Sequence, residues 1–310
     1  MNREKRRIEV DATLDGERAD TAIARILGIS RSASADLLNA GDVHRGKKLL
    51  NKSDRVDAGE QLDILMPAEI DPLDFTKVIS DSISIVYEDN DVVVVDKPVG
   101  TAAHPSPGWH GPTVLGDLLA KGYRISTSGS DERKGIVQRL DVGTSGLMVI
   151  AKNESSYLNL KDQFRTRKVE KIYHALVQGH MDPAEGTIDA PIGRHPREDY
   201  RFAVVADGKP SITHFALIEY FVGATLMRIS LETGRTHQIR VHFNALRHPL
   251  VGDLAYGADP VLAEKLEIRR PWLHAMELAF SQPTSGARIA LTSPYPADLK
   301  RALSILTDKS

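Results

Sequence analysis

The segment Val137-Gln-Arg-Leu-Asp-Val-Gly-Thr-Ser-Gly146 places an aspartate where a strand-like run enters a turn containing two glycines. Glycine lets backbone approach a ligand closely, so Asp141 stands where a carboxylate can be presented. Alternation gives Arg139 the same parity, and a strand continuing that far would aim both side chains into one cleft. Further along, Lys171-Ile-Tyr173 supplies a phenol, and Gly234-Arg-Thr-His-Gln-Ile-Arg-Val-His242 supplies Arg235, His237, Arg240 and His242. Each residue alone has a plainer reading: Asp141 as a turn cap, Tyr173 as a half-buried sheet residue, the arginines as surface cations. His237 and His242 are five apart, which suits neither a helical i, i+4 zinc pair nor one face of a strand, so no metal site is expected.

The elements that must position these groups read as α+β. Residues 83–87 and 92–95 are strand candidates, and strands at 136–140 and 147–151 are expected to flank the 142–146 turn. Asn153 is placed to cap a helix carrying Tyr157, Leu160 and Phe164 on one face. Strand patterns follow at 171–177, 211–220, 224–231 and 287–291, while 126–133 is rich in Ser, Gly and charge and reads as a loop. Ahead of this lies a smaller unit over residues 16–66. A helix at 19–27 presents Ile23, Ile26 and Leu27 and stops at Gly28; Ser30 caps a second helix with Ala33, Leu37 and Leu38, which ends at Gly41. A turn at Gly46 leads into a strand at 61–65. Residues 1–15 read as an N-terminal arm, 67–82 as a linker with a boundary near 75, and 83–310 as the larger domain.

Of 310 residues, 41% are hydrophobic and 26% charged, a composition with ample material for a core. No apolar run approaches the roughly 18 residues of a membrane span, and no apolar stretch follows the charged start, so neither a span nor a secretory signal is expected. Cysteine is absent, which excludes disulfides, zinc–thiolate sites, iron–sulfur clusters and cysteine nucleophiles and leaves a cytoplasmic protein as the expectation. The net charge of −2 argues mildly against a nucleic-acid partner. Locally the balance differs: Arg31 lies on the second helix, and Arg45, Lys47, Lys48, Lys52 and Arg55 face one acid, Asp54, over residues 43–55. Such a cluster suits RNA phosphates, although a solvated face explains the charges as well.

The pattern over residues 16–66, with Ile-Ser-Arg-Ser at 29–32, Ala40-Gly41-Asp-Val43, the basic turn and Gly59-Glu-Gln-Leu-Asp-Ile64, resembles the S4 RNA-binding domain. The Asp141 segment closely resembles the catalytic motif of the RluA/RluD family of pseudouridine synthases. Asp96-Lys-Pro-Val-Gly100 with His104-Pro105, Lys171-Ile-Tyr173, the 234–242 run and His248-Pro-Leu-Val-Gly-Asp253 follow in family order over most of residues 83–300. The resemblance implies a catalytic domain with a mixed, largely antiparallel sheet crossed by the cleft. It also implies isomerisation of uridine to pseudouridine without a cofactor, acting as a monomer on RNA, with large-subunit ribosomal RNA as the expected substrate. Asp141 is then the essential carboxylate, attacking the sugar or removing its 2′ proton. Arg240 is its ion-pair partner, Ile239 packs on the base, Tyr173 forms an aromatic platform, and Arg139 fills the space left by the flipped nucleotide. Arg31, Arg45, Lys47 and Lys48 are the expected RNA contacts of the first module. One position departs from the family: Gln138 stands where histidine is usual, and glutamine hydrogen-bonds but cannot titrate. A non-catalytic RNA-binding or assembly protein of the same fold, or a hydrolase using Asp141, are the rival readings.

Overall fold

The structure is a computed structural model describing residues 5–27, 31–66, 83–106, 109–129, 134–196, 198 and 201–307. The expected linker at 67–82, the stop at Gly28, the cap at Ser30 and the Ala33 side chain lie outside the described residues. The chain divides into two compact units, Met1–Asp74 with Ser106–His110, and Phe75–Pro105 with Gly111–Ser310.

In the first unit, β1 (Lys5–Glu9), α1 (Ala19–Leu27), α2 (Arg31–Asn39), β2 (Val43–Arg45), β3 (Lys48–Leu49) and β4 (Gln61–Leu65) form a four-stranded sheet, in the order β1-β4-β2-β3, and a helix pair. Ala19, Ala22 and Ile23 on α1 and Leu37 and Leu38 on α2 bury against Val43, Leu62 and Ile64. Gly46 turns the β2–β3 hairpin with φ +61°. The residues read as an arm contain β1, which pairs antiparallel with β4 from Lys5↔Leu65 to Glu9↔Gln61. The unit's sheet therefore begins before residue 16, with β1 covering the side of β4 that β2 leaves open.

The second unit contains β5 (Ser84–Glu88), β6 (Val92–Lys97), α3 (Val114–Ala120), β7 (Ser145–Ala151), α4 (Glu154–Arg165), β8 (Glu170–Gln178), β9 (Glu185–Asp189), β10 (Ile192–Arg194), β11 (Phe202–Val204), β12 (Ile212–Phe221), β13 (Ala224–Leu231), α5 (Gln238–Ala245), α6 (Pro260–Lys265), β14 (Leu273–Ser281), β15 (Arg288–Thr292) and α7 (Ala297–Thr307). Nine strands form one sheet in the order β5-β6-β7-β14-β8-β13-β12-β9, with β15 on β14; β10 and β11 make a separate hairpin. Among the described residues β7–β14 is the parallel pair of an otherwise antiparallel sheet, so the mixed α+β architecture is as expected. Asn153 caps α4 by accepting from the Ser156 amide at 2.9 Å. Among the described residues no helix is long and apolar enough to cross a membrane.

The strand expected at 136–140 does not form. Ile136 makes a single bridge to Ile150, and 137–141 run without regular structure up to the turn closed by Thr144 N–H on Asp141 O at 3.0 Å. β14 takes the β7 edge at Ser145 and Gly146, and the incoming chain bridges β7 at Ile150 alone. The junction is tight: Gly146 has φ +115°, and a Cβ there would lie 2.3 Å from Ala275 O. Gly146→Ala should therefore cost about 3 kcal/mol or more, combining a backbone penalty with a clash against main chain. Urea unfolding measures this; a midpoint equal to wild type would contradict the tight-junction account.

Candidate active site

The site is built where the turn after 137–141 meets the head of α5. Helix α5 is pinned before it can present anything. Gln238, 3% exposed, donates from its amide nitrogen to Ile212 O (3.0 Å) and Thr213 Oγ1 (2.9 Å), while its oxygen accepts from Arg235 N–H and the Thr233 hydroxyl. One turn later His242, fully buried, bonds Thr213 Oγ1 through Nδ1 and Ala190 O through Nε2. These bonds fix α5 to β12 and settle His242 as a structural residue.

Arg240 leaves α5 as a fork shared by two carboxylates. Nε and Nη2 donate to Asp253 at 2.7 and 2.8 Å, and Nη1 donates to Asp141 Oδ2 at 3.4 Å. The guanidinium also lies over the Tyr256 ring, 4.7 Å from its centroid. Arg240 and Asp253 side chains are 11% and 1% exposed, whereas Asp141 keeps 29%. The bidentate bond thus serves the buried aspartate, and the partly open one receives a single longer contact. Gly252, at φ +81°, sets Asp253: a Cβ at this turn would lie 2.2 Å from Arg270 O.

Tyr173, at 8% exposure, shares one packed apolar cluster with Leu140 and Ile239, itself 4% exposed. Burial, and after it the Asp141 charge, push the Tyr173 phenol well above its ordinary range, so it keeps its proton. Arg139 is exposed and donates to Thr236 Oγ1 at 3.4 Å, so it and Asp141 both meet the 236–240 segment although no strand aligns them. Gln138, half-buried, donates to Leu147 O at 3.4 Å, a bond to β7 that a neutral amide supplies. Arg139, Asp141, Ile239 and Arg240 therefore meet at α5 and the segment before it, and Tyr173 shares the Ile239 cluster.

The four cations of the first unit are spread over different roles. Arg31 pairs with Asp20 at 3.0 Å, which Arg18 also engages, and Arg45 pairs with Glu60 and reaches Arg55 O. Lys47 and Lys48 are exposed at the β2–β3 hairpin. In the basic tract ending α4, Arg165 and Arg167 are paired with Asp162 and Glu232, while Lys161 and Lys168 are exposed. Among the described residues no group of three His, Asp or Glu side chains stands where it could hold a metal ion.

Four residues lie in or beside the site without a role assigned from sequence: Asp253, Tyr256, Lys97 and His237. Lys97 ends β6 fully buried, its amine donating to Thr101 O (2.7 Å) and Pro98 O (3.0 Å). Burial holds that amine down at about 7, against the pull of Asp141. Asp253 and Lys97 both occur in the ordered motifs, but pairing across 13 residues, or burial at a strand end, leaves no local pattern.

A family model described as RNA pseudouridylate synthase matches residues 91–245. An uncharacterized RNA pseudouridine synthase of Mycobacterium bovis is 54% identical over 97% of this chain and 98% of its own. Ribosomal large subunit pseudouridine synthase D of Pseudomonas aeruginosa is 38% identical over 97% of this chain and 96% of its own. Among solved structures, human RNA pseudouridylate synthase domain containing 1 superposes with a TM-score of 0.57 at 30% identity, covering 70% of this chain and 84% of that one.

Lys97 generates a stability test. Burial brings the folded amine down to about 7, from the 10.5 of the free group. Between these values unfolding takes up a proton, so the contribution of Lys97 to stability rises as pH rises through that window. The unfolding free energy of wild type relative to Lys97→Met should move in favour of wild type from about pH 7 to about pH 10. A pH-independent difference in chemical denaturation would contradict the buried-amine account.

Proposed function

The chain belongs to the RNA pseudouridylate synthase family, and from this we propose that it isomerises specific uridines of large-subunit ribosomal RNA to pseudouridine, with Asp141 as the essential carboxylate. The setting is the cytoplasm, the active form a monomer. The reaction breaks the glycosidic C–N bond, turns the uracil and joins its C5 to C1′, with the C5 proton leaving and the freed N1 taking up a proton. No electrons and no water are consumed, so the balance requires no cofactor. The target nucleotide leaves its stack and enters the pocket. Asp141 then attacks C1′ or takes the 2′ proton, and either route needs an ionised carboxylate at the ribose.

The observation that carries this reading is the Arg240 fork, which keeps a cation on Asp141 while spending its bidentate face on Asp253. The carboxylate is held close to positive charge without being closed off by it. Tyr173, Ile239 and Leu140 share the apolar cluster suited to a uracil face. A protonated Tyr173 phenol acts at C5 as a platform first, and removes the proton only if another group takes its own. Arg139, exposed beside Thr236, enters the stack gap and lies against neighbouring bases. Gln138 supports β7 without adding a titratable charge. The first unit, S4-like in pattern, reads RNA through its β2–β3 hairpin, where Lys47 and Lys48 meet phosphates while Arg31 and Arg45 stiffen the module through their ion pairs. A merely binding protein has no use for Asp141, whose charge repels phosphates.

With RNA labelled by tritium at uracil C5, Asp141→Asn should release label at least about a thousand-fold more slowly than wild type. Its RNA affinity should stay within about two-fold, since the change removes no cation. Appreciable release from that variant would overturn the assignment of Asp141. Replacing Lys47 and Lys48 together with alanine should weaken binding and lower the slope of log affinity against log salt by about two. An unchanged slope would take the hairpin out of the RNA interface.

A further inference from the structure

His237 has no part in the chemistry above, yet its backbone is unusual. It takes φ +57° ahead of α5, in the left-handed region, and its side chain makes no helix-capping bond. Strained residues of this kind persist where the surroundings over-determine them, and they gather at active sites. The ring is held by aromatic edges, with Tyr256 at 5.6 Å and 90° and Phe202 at 5.8 Å and 76°.

Both ring nitrogens are addressed. Nδ1 lies 2.8 Å from the Tyr256 hydroxyl, and Nε2 lies 3.8 Å from Asp141 Oδ2. Tyr256, 1% exposed, accepts at the same hydroxyl from the Phe202 amide at 3.1 Å. Among the described contacts Nδ1 is the acceptor within reach of the hydroxyl proton, and the arrangement that satisfies both groups leaves Nδ1 bare. The ring proton therefore sits on Nε2, facing the carboxylate. An imidazolium would carry a proton on Nδ1 as well and leave the buried tyrosine proton without its acceptor.

We infer that Phe202 N–H, the Tyr256 hydroxyl and the His237 ring form a hydrogen-bond chain that positions Asp141, presenting Nε2–H to Oδ2 beside Arg240 Nη1 and leaving Oδ1 as the reacting oxygen. The inference rests on Asp141 being the essential carboxylate. At 3.8 Å the last link is longer than a hydrogen bond, and it closes when substrate fills the pocket, as catalytic contacts commonly do. His237 is a positioning residue here: it acts through Asp141. The charged groups facing its ring are Asp141, Arg240, Asp253 and Arg139. Burial is the largest influence and lowers its pKa, with Asp141 pulling the other way, so the ring is neutral at neutral pH, as the chain requires.

Three variants test this in single-turnover assays on saturating RNA over about pH 5 to 9. His237→Phe keeps a ring without a donor and should lower the rate about 30- to 100-fold, with half-saturating RNA changed less than about two-fold. His237→Gln restores an N–H that cannot titrate; it should recover to within about five-fold of wild type and flatten the acidic limb of the profile. Tyr256→Phe removes only the hydroxyl. Deprived of a donor, Nδ1 takes a proton more readily, so the acidic limb should move to higher pH. Nitrogen-15 NMR of histidine-labelled protein, with His237→Gln assigning the resonance, should show the Nε2–H tautomer without reference to activity. Equal losses in the two His237 variants with an unmoved pH profile, or an Nδ1–H tautomer, would overturn the chain. His237→Phe at wild-type rate beside an inactive Asp141→Asn would also overturn it. Activity in Asp141→Asn would instead remove the reading on which it rests.

Discussion

One guanidinium divided between two carboxylates organises this molecule. Arg240 carries a charge into a place where its side chain is 11% exposed, and a buried charge must be met by fixed partners. Asp253 meets it with both oxygens, which frees the remaining nitrogen to touch Asp141 without capturing it. Had the fork closed on Asp141, that carboxylate would be pinned and shielded. With the load carried by Asp253, Asp141 stays near positive charge yet partly open. The arrangement needs three chain segments held in register, and much of the second unit can be understood as the means of holding them.

Each segment is secured by a different device. Helix α5 is tied to β12 through Gln238 and His242. Asp253 is set by a turn that tolerates only glycine at 252, because the Arg270 carbonyl occupies the space a side chain would need. The Asp141 turn is set by the parallel contact of β7 with β14 at Gly146 and Ala275, where main chains approach too closely for a Cβ. Lys97 closes the end of β6 by bonding two carbonyls from full burial. The first unit has its own core, and Arg31 and Arg45 form ion pairs there with Asp20 and Glu60.

What could be read from the chain followed the range of the interaction. Helix α1 and the Asn153 cap were legible because their causes lie within a few residues. β12 and β13 were legible as strand-like segments at 211–220 and 224–231. β14 was not: it is buried along most of both faces and interrupted by His274 and Glu277, so it shows neither alternation nor a clean apolar run. The stretch before Asp141 looked like a strand because β propensity is local, whereas the fold grants it only the single bridge from Ile136 to Ile150. Asp141, Tyr173 and Arg240 were identified by family order, not by any local rule, and their contacts span up to 99 residues. Asp253 and His237 stood in the same motifs, but their work depends on which neighbours the fold delivers. Arg31 and Arg45 show the converse, since their charge is visible in sequence and their pairing with Asp20 and Glu60 is not.

The most direct test of the account is a map of pseudouridine in ribosomal RNA from cells lacking the gene, each strain complemented with wild type or Asp141→Asn. The account requires that particular large-subunit sites lose the modification, return with wild type, and stay unmodified with the variant. Sites that never change on deletion, or that return with Asp141→Asn, would contradict it.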